Sequence, residues 1–260
     1  MIKLVLLLAL FSCSSQQSLR SERMPAQQAT LPSEFSVLIW NIYKGGKGQK
    51  FYREAKEIFP RYDLILLQET VFGGQLEEFL ANEFSHQEER AISWGRNGVA
   101  TLSTASATEV FPMKTKGREF FVFTPKASLA TIYQMEEAEL LVINIHMINF
   151  RETRAMESQL DQYSDLLERH KGPIIVAGDF NTWSAGRIDA VDKFLTSYGL
   201  KEIDFADSKG ADPRAKFAVG VLDRLYTRGL KVLNAEVFHK SRSSDHYPFA
   251  VDLKLDSTKE

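Results

Sequence analysis

The chain has 260 residues, of which 44% are hydrophobic and 25% charged, a composition that suits one large α/β domain better than two small ones. Lysine and arginine number 32 and aspartate and glutamate 34, so the formal net charge is −2. This balance excludes the strongly basic surface of a high-affinity nucleic-acid-binding protein, although a local basic groove is compatible with it.

The N-terminal segment has the features of an export signal. Lys3 supplies a positive charge, an apolar run of eight residues extends over Leu4–Phe11, and Ser12 and the only cysteine, Cys13, follow. Eight residues are too few to span a membrane, which takes about 20. A charged start, a short apolar run and a small residue at the cleavage site predict a secretory signal over residues 1–12.

The segment Leu10–Cys13 resembles the lipobox of bacterial lipoproteins, except that Phe11 stands where a small residue is usual. This resemblance implies that cleavage leaves Cys13 first and that lipid is attached to it; an ordinary signal peptide is the alternative. Residues 13–33 are rich in Ser and Gln and are expected to form a flexible tether. Ser14, where an aspartate would signal retention in the inner membrane, favours the outer membrane. We therefore expect a lipid-anchored protein of the bacterial cell envelope, with a periplasmic or secreted protein as the alternative.

The pattern of apolar residues beyond the tether predicts many strands with a few helices between them. The strands are expected at Phe35–Ile42, Asp63–Leu67, Gly98–Ser103, Glu109–Met113, Phe120–Phe123, Ser128–Gln134, Leu140–Ile145, Ile174–Gly178, Leu222–Thr227, Val232–Phe238 and Tyr247–Leu255. The helices are expected at Gln49–Phe59, Gln75–Asn82, Thr153–His170 and Arg187–Tyr198. Several strands are apolar throughout, which indicates burial on both faces. The pattern predicts an α/β fold over residues 34–256, with two packed mixed sheets flanked by helices in a four-layer α/β/β/α sandwich.

Polar side chains stand at the ends of four predicted strands, where an apolar strand does not need them. Asn41, Glu69 and His146 end three of these strands, and Asp179 and Asn181 follow the fourth. On an extended backbone, residues two apart point the same way, so Asp179 and Asn181 are expected to face one point. A base and an amide that converge there would hold and activate a water molecule.

Two more polar motifs lie near the C-terminus. Asp245 and His246 precede the last strand, and Asp223 lies upstream of them. A carboxylate beside a histidine raises the pKa of the imidazole and favours the imidazolium, which is the useful form next to a phosphoryl oxygen. Oxygen ligands without thiolates indicate a hard cation such as Mg²⁺. An activated water, a cation and an imidazolium together favour hydrolysis of a phosphate ester.

The order of these motifs resembles that of the endonuclease/exonuclease/phosphatase superfamily, which includes deoxyribonucleases, abasic-site repair nucleases, neutral sphingomyelinases and inositol polyphosphate phosphatases. The similarity extends from about Phe35 to Leu255, and Gly98–Ser103 adds a family-like stretch without catalytic residues. The resemblance implies a metal-dependent phosphoric ester hydrolase that uses Mg²⁺, with Mn²⁺ or Ca²⁺ as alternatives. A phosphodiesterase or endonuclease is the first expectation.

The resemblance also assigns roles at the cation and the attacking water. Glu69 would ligate the cation, with Asn41 and Asp245 close by. Asp179 would orient or deprotonate the attacking water, and Asn181 would position that water and a phosphate oxygen.

Two histidines would bind the phosphate, one of them supported by a carboxylate. His246, hydrogen-bonded to Asp223, would contact a phosphate oxygen and stabilise the charged transition state. His146 would contact the phosphate from the other side. Abasic-site repair nucleases usually carry a tyrosine at the place of His146, so the chain is more similar to the deoxyribonuclease and sphingomyelinase members.

Three substrate classes stay open at this point. Nucleic acid would suit Lys44, Arg151 and Arg154, which are candidates to flank a phosphate groove. A membrane tether would favour phospholipid head groups, and a small phosphate ester is the third class. A non-catalytic binding protein on the same fold would show lost catalytic positions, and none is lost here. The sequence indicates no obligate protein partner.

Overall fold

The computed structural model describes residues 28–46, 48–119, 124–149, 151–206, 212–214, 216–217 and 220–256. The strands of this part are β1 (Glu34–Asn41), β2 (Leu64–Val71), β3 (Gln87–Trp94), β4 (Asn97–Ser103), β5 (Ala107–Lys114), β6 (Ala127–Gln134), β7 (Glu139–His146), β8 (Ile174–Asp179), β9 (Lys201–Glu202), β10 (Lys216–Phe217), β11 (Gly220–Val221), β12 (Asp223–Arg228), β13 (Leu230–Val237) and β14 (Phe249–Leu255). The helices are α1 (Gln49–Ile58), α2 (Gln75–Glu83), α3 (Thr153–Leu160), α4 (Ser164–Arg169) and α5 (Ala185–Ser197), with 3-10 turns at Tyr43–Gly45, Phe59–Arg61 and Asp161–Tyr163. The strand predicted at Phe120–Phe123 lies outside the described residues.

Two six-stranded mixed sheets make up most of the fold. Their strand orders are β13-β14-β1-β2-β4-β3 and β5-β6-β7-β8-β12-β9, and β10 and β11 form a separate small hairpin. Each six-stranded sheet contains one parallel pair, β1 with β2 and β7 with β8, among antiparallel neighbours. Because parallel strands end at the same edge, the carboxyl ends of four strands lie in two adjacent pairs.

Side chains that alternate along the central strands build two kinds of core. In β1, Val37 and Ile39 face the other sheet, whereas Leu38 and Trp40 pack under α1 and α2. Apolar residues of α3, α4 and α5 cover the outer face of the second sheet in the same way. This two-residue period is what a strand buried on both faces requires. The predicted four-layer sandwich is therefore confirmed.

The strand β3 was not predicted, because three charged residues occupy its middle. Arg90 lies 2.9 Å from Glu88 and 3.0 Å from Glu77 of α2, so the charges are paired at the sheet edge. The helix predicted at Thr153–His170 is also wrong as one element. A 3-10 turn divides it into α3 and α4 and directs the Tyr163 hydroxyl to Ser128 of β6, at 2.5 Å.

The expected tether ends earlier than residue 33. Gln28 forms a bridge with Ala105, and Leu31 forms one with Met135. Leu31 is fully buried in the core between the sheets. It therefore fixes the end of the segment whose Ser and Gln content predicts flexibility. None of the helices in the described ranges has the length and apolar character that a membrane-crossing helix needs.

A buried polar bridge joins the two sheets beneath the strand ends. Gln68 of β2 donates a hydrogen bond from Nε2 to Oδ1 of Asn144 in β7, at 2.7 Å. The Asn144 amide in turn donates to the carbonyl oxygens of Ala100 and Leu67, at 2.9 and 3.3 Å. These bonds fix how the strand ends of one sheet stand against those of the other.

Asn144→Ala is expected to lower the free energy of unfolding by roughly 2–4 kcal/mol, because it removes the buried hydrogen bonds that Asn144 makes with Gln68, Ala100 and Leu67. Urea unfolding followed by circular dichroism measures this. The matched control is Asn234→Ala, whose amide bonds Asp252 on an exposed edge strand and whose loss should cost less than about 0.5 kcal/mol. Equal effects of the two substitutions would contradict a structural role for the bridge.

Candidate active site

The pairing of three strands brings three of the predicted residues side by side. In the parallel pair β7–β8, His146 stands opposite Asp179, and in the antiparallel pair β8–β12, Asp179 stands opposite Asp223. Asn41 ends β1 in the facing sheet and donates from Nδ2 to Oδ2 of Asp179, at 3.0 Å. The predicted strand ends therefore meet across the sandwich, and Asp179 lies at the centre of the group.

Asp179 is almost fully buried, with 3% of its surface exposed. Its Oδ1 accepts the backbone N–H of Asn181 at 3.0 Å, and its Oδ2 lies 3.5 Å from Nε2 of His146. Burial raises the pKa of Asp179 to about 6; the charge of His246 opposes this shift and that of Asp223 adds to it. A carboxylate with a pKa in this range is suited to accept a proton near neutral pH.

His246 is paired with a buried carboxylate. Its Nδ1 lies 2.7 Å from Oδ2 of Asp223, and its carbonyl accepts the Trp40 indole N–H at 3.1 Å. Burial disfavours the charged imidazole, but Asp223, Asp179 and Asp245 outweigh it and raise the pKa of His246 to about 10. The side chain is thus an imidazolium at neutral pH, directed by Asp223 and available to an anion.

The segment after β8 turns at once instead of continuing as a strand. Asn181 has a φ of +50°, and its side-chain amide donates to the carbonyl of Met147 at 2.9 Å. The expectation that Asp179 and Asn181 lie close together is met, but strand alternation is the wrong explanation, because the strand ends at Asp179. They come together because the chain folds back and the Asp179 carboxylate accepts the Asn181 N–H, a local turn that Asp favours.

Gly178 is required by the close approach of β7. Its φ is +137°, and a Cβ at this position would stand 2.0 Å from the carbonyl oxygen of Ile145. No larger residue fits between the paired strands without moving one of them. The residue before Asp179 therefore fixes how near His146 comes to it.

Glu69 is presented by a bulge. The β2–β4 register shifts between Gln68 and Thr70, and Glu69 between them has a φ of +54°. The strand was predicted to end at this point, but β2 continues to Val71. Because a bulge redirects a side chain without ending the strand, Glu69 reaches the cavity beside His146, whose Nε2 is 3.9 Å from its Oε1.

His146 has the opposite protonation preference to His246. Burial lowers the pKa of His146 well below its usual range, and the charges of Lys126, His246 and Lys44 lower it further. Its carbonyl accepts a hydrogen bond from Gln159 of α3 at 3.2 Å. His146 is therefore a neutral imidazole held against Asp179 and Glu69.

The donor set at this edge fits a hard, hydrated cation. Glu69 is partly exposed, Asp245 is exposed, and the Asn41 oxygen already accepts the N–H of Tyr43 at 3.1 Å. Ser244 ties the Asp245 segment to Asn41 by donating to its carbonyl at 2.7 Å. The described residues contain no cluster of three or more His, Cys, Asp or Glu side chains that would cage a metal. Mg²⁺ is commonly held by one or two carboxylates together with substrate phosphate and water, which this arrangement allows.

The predicted basic residues divide into two groups. Lys44 lines the cavity next to Glu69. Arg151 and Arg154 are exposed and neither lines this cavity, so the structure does not bring them to the candidate site. Lys126, which was not predicted, also lines this cavity, from the segment just before β6.

Arg187 is the main residue that sequence reasoning missed. It is 1% exposed and donates to the carbonyl oxygens of Asn181, Ile148 and Arg151, at 2.7, 2.5 and 3.1 Å. It thereby joins the loop after β7 to the loop after β8. Its guanidinium also lies 5.4 Å from the ring centroid of Trp183. The available signal was an arginine in the first turn of a helix that directly follows the Asp179 motif.

A cavity of about 430 Å³ opens beside these groups. It is lined by Lys44, Glu69, Ser93, Trp94, Asn97, Gly98, Glu119, Thr124, Pro125, Lys126, Ala127, His146 and Asn149. This volume suits a small organic molecule or one unit of a polymer.

Comparison with known proteins gives matches over the same part of the chain. The model of the Endonuclease/Exonuclease/phosphatase family matches residues 38–246. A UPF0294 protein of Vibrio campbellii is 34% identical over 227 residues, which are 85% of this chain and 78% of that protein.

Solved structures share the fold at low sequence identity. An endonuclease/exonuclease/phosphatase family protein from Leptotrichia buccalis is 18% identical, with a TM-score of 0.62 over 85% of this chain and 100% of its own. ANGEL2, a 2′,3′-cyclic phosphatase in complex with adenosine-2′,3′-vanadate, is 16% identical, with a TM-score of 0.65 over 86% of this chain and 96% of its own. Since the family match covers most of the sandwich and includes every strand end at the site, the chain belongs to the endonuclease/exonuclease/phosphatase family, whose members are phosphoesterase hydrolases.

Proposed function

We propose that this protein is an exported, Mg²⁺-dependent phosphodiesterase that cleaves its substrate by direct attack of water. The observation that carries the proposal is the meeting of a buried carboxylate, Asp179, with the charged pair of His246 and Asp223 next to Glu69. A base, an anion-binding imidazolium and a carboxylate for a cation are the groups that such a reaction needs.

In this mechanism Asp179 accepts a proton as the water oxygen forms its bond to phosphorus and the bond to the leaving oxygen breaks. The Asn181 amide orients the water, while the His246 imidazolium donates to a phosphoryl oxygen and stabilises its growing charge. Asp223 keeps the ring of His246 in place and charged. His146, as a neutral imidazole, is placed to contact the phosphate from the Glu69 side.

A cation would be held by Glu69, with Asn41 and Asp245 close by. When bound, it would neutralise phosphate charge and stabilise the leaving oxygen. Mg²⁺ is the first choice because all the donors are oxygens, and Mn²⁺ and Ca²⁺ are the alternatives.

Nucleic acid is the first substrate class we propose, and a phospholipid head group or a small phosphate ester are the others. Lys44 and Lys126 beside the cavity favour an anionic substrate of any of these kinds. The structural similarity to ANGEL2, which is described as a 2′,3′-cyclic phosphatase, supports phosphate-ester chemistry on this fold.

The proposed location is the bacterial cell envelope. The apolar run before Cys13 and its resemblance to a lipobox support a lipid anchor, with the outer membrane favoured and a periplasmic or secreted protein as the alternative. An exported enzyme has no access to chromosomal DNA, which argues against a role in repair.

Asp179→Asn and His246→Gln are each expected to lower kcat about 100- to 10,000-fold, because one removes the base and the other the charged donor to phosphate. Turnover with Mg²⁺ is measured in parallel on plasmid DNA, sphingomyelin vesicles and bis-p-nitrophenyl phosphate. Chelation of the cation should abolish the activity of the native protein. Glu69→Gln should raise the Mg²⁺ concentration needed for half-maximal rate.

The matched controls for this experiment are Asp189→Asn and His239→Gln, which change exposed residues away from the site. Both should retain the native rate. Near-native turnover by a folded Asp179→Asn protein would defeat the mechanism, whichever substrate is cleaved.

Arg187→Met is expected to lower kcat about 10- to 100-fold with little change in KM, because Asn181 and the loop after β7 lose their common hydrogen-bond donor. Arg187→Lys, which keeps the charge, should recover part of this loss. The control is Arg228→Met, since Arg228 also donates to backbone carbonyls, those of Tyr198 and His170, but at the other end of β12. Kinetics and urea unfolding are measured for each. A similar loss of kcat in both Met variants would show a general effect of stability instead of positioning.

Cys13→Ser is expected to move the protein from the membrane fraction to the soluble fraction of cells that express the full chain. Loss of the acylated residue removes the hydrophobic contribution of the lipid, which is about 0.8 kcal/mol for each buried methylene. Ser15→Ala serves as the control and should remain in the membrane fraction. Unchanged fractionation of Cys13→Ser would contradict lipid anchoring.

A further inference from the structure

The cavity extends to one side of the catalytic groups. Glu69 and His146 form one wall, whereas Asp179 and His246 do not line it. From that wall it runs to the β3–β4 hairpin and the β5–β6 connection. A phosphate held between His246 and Glu69 would therefore place one of its two substituents in this cavity.

Trp94 forms the far wall and is the most exposed large hydrophobic side chain in the described part of the chain, at 52%. Trp40, by contrast, is fully buried. Trp94 loses much of the stabilisation that burial of an indole gives, because about half of its surface is exposed. This exposure favours a role for Trp94 in contact with a ligand.

The hairpin that carries Trp94 is braced. The Ser93 hydroxyl donates to the Asn97 carbonyl at 2.9 Å, and the Asn97 amide donates to the Trp94 carbonyl at 3.3 Å. Arg96 at the turn donates to the Phe72 carbonyl, which ties the hairpin to the segment after β2. The indole thus stands on a fixed support with a hydroxyl and an amide beside it.

The charges around Trp94 disfavour a cationic ligand. The guanidinium carbon of Arg118 lies 5.3 Å from the indole centroid. Arg118 therefore already makes the cation–π interaction that a quaternary ammonium group would make with this ring. Lys44 and Lys126 add two positive charges to the lining. Glu119, a carboxylate in the same lining, is already 3.4 Å from Lys126 and accepts a backbone N–H from Asn149. A choline group would meet three cations here, whereas a flat, uncharged ring would not be repelled.

The chain enters the sandwich at the end opposite the cavity. Gln28 and Leu31 pair with Ala105 and Met135, which follow the ends of β4 and β6. The starts of the same strands, Asn97 and Ala127, line the cavity. A strand of seven or eight residues spans about 25 Å. The segment at Gln28 and Leu31 therefore joins the domain at the end of the sandwich opposite the cavity.

We propose that this cavity is a subsite for the base of a nucleotide, stacked on Trp94, so that the preferred substrates are phosphodiesters that carry a nucleobase. The inference rests on the proposed function for the position of the phosphate. Stacking on an aromatic side chain contributes about 1–3 kcal/mol per base and tolerates every base, because each has a flat π face. Ser93 and Asn97 also line the cavity next to Trp94.

The test measures equilibrium binding by calorimetry on the full chain in Mg²⁺, with adenosine 5′- and 3′-monophosphate, phosphocholine and glycerol phosphate as probes. At least one adenosine monophosphate should bind about 10-fold more tightly than phosphocholine or glycerol phosphate. Trp94→Ala should weaken that nucleotide about 5- to 150-fold, the range that 1–3 kcal/mol represents, and leave glycerol phosphate unchanged. Trp94→Phe should retain most of the affinity. Leu233→Ala, which truncates another exposed apolar residue far from the cavity, is the control and should have no effect.

Two results of the binding experiment would overturn the subsite: phosphocholine that binds as tightly as both nucleotides, or nucleotide affinity that Trp94→Ala leaves unchanged. Failure of the proposed function looks different. It would appear as Trp94-dependent binding of a nucleotide by a protein that hydrolyses none of the phosphate esters tested, with Asp179 intact. Hydrolysis of plasmid DNA and sphingomyelin at equal rates in native and Trp94→Ala proteins would retain the mechanism and reject the subsite.

Discussion

The register of β8 between its two neighbours is the constraint on which the site depends. Parallel pairing with β7 and antiparallel pairing with β12 set His146, Asp179 and Asp223 in one row. A slip of one residue would turn the Asp179 side chain to the opposite face of the sheet. Gly178 makes the register possible because any Cβ there would collide with β7. The single glycine before Asp179 thus determines whether side chains from three strands can come together.

The strand arrangement gives chemically similar side chains different protonation states. Burial and the positive charges of Lys126, His246 and Lys44 keep His146 neutral, whereas a carboxylate at 2.7 Å keeps His246 charged. Burial disfavours the charged carboxylate of Asp179 by more than its hydrogen bond from Asn181 favours it, so the pKa of Asp179 rises towards neutrality. Environments that separate the pKa values of neighbouring groups in this way are what acid–base chemistry requires. The fold therefore places one carboxylate with a raised pKa, one imidazolium and one neutral imidazole within a single cluster.

The sequence was sufficient for features that depend on local pattern and insufficient for those that depend on partners distant along the chain. Strands that are apolar throughout predicted the two packed sheets, and the polar residues at the ends of β1, β2, β7 and β8 predicted the candidate site around Asp179. The strand β3 escaped because the pairing of Glu88 with Arg90 is visible only once the sheet edge exists. Leu31 escaped because one apolar residue in a polar segment carries no periodicity, yet it fills the core between the sheets.

The hydrogen-bond partners of Arg187 are backbone carbonyl oxygens and not carboxylates, and this choice has an electrostatic consequence. A carboxylate would join the same two loops and satisfy the guanidinium, but it would also cancel its charge. Three backbone carbonyls hold the side chain and leave its positive charge acting on Asp179 and Glu119, both of which favour the charged form of Arg187. Burial opposes that charge and lowers the pKa of Arg187 to about 10, so the arrangement costs stability. A site that must attract a phosphate beside a buried carboxylate gains from a positive field behind it, and this gain is the physical reason to keep an arginine that a neutral core would not tolerate.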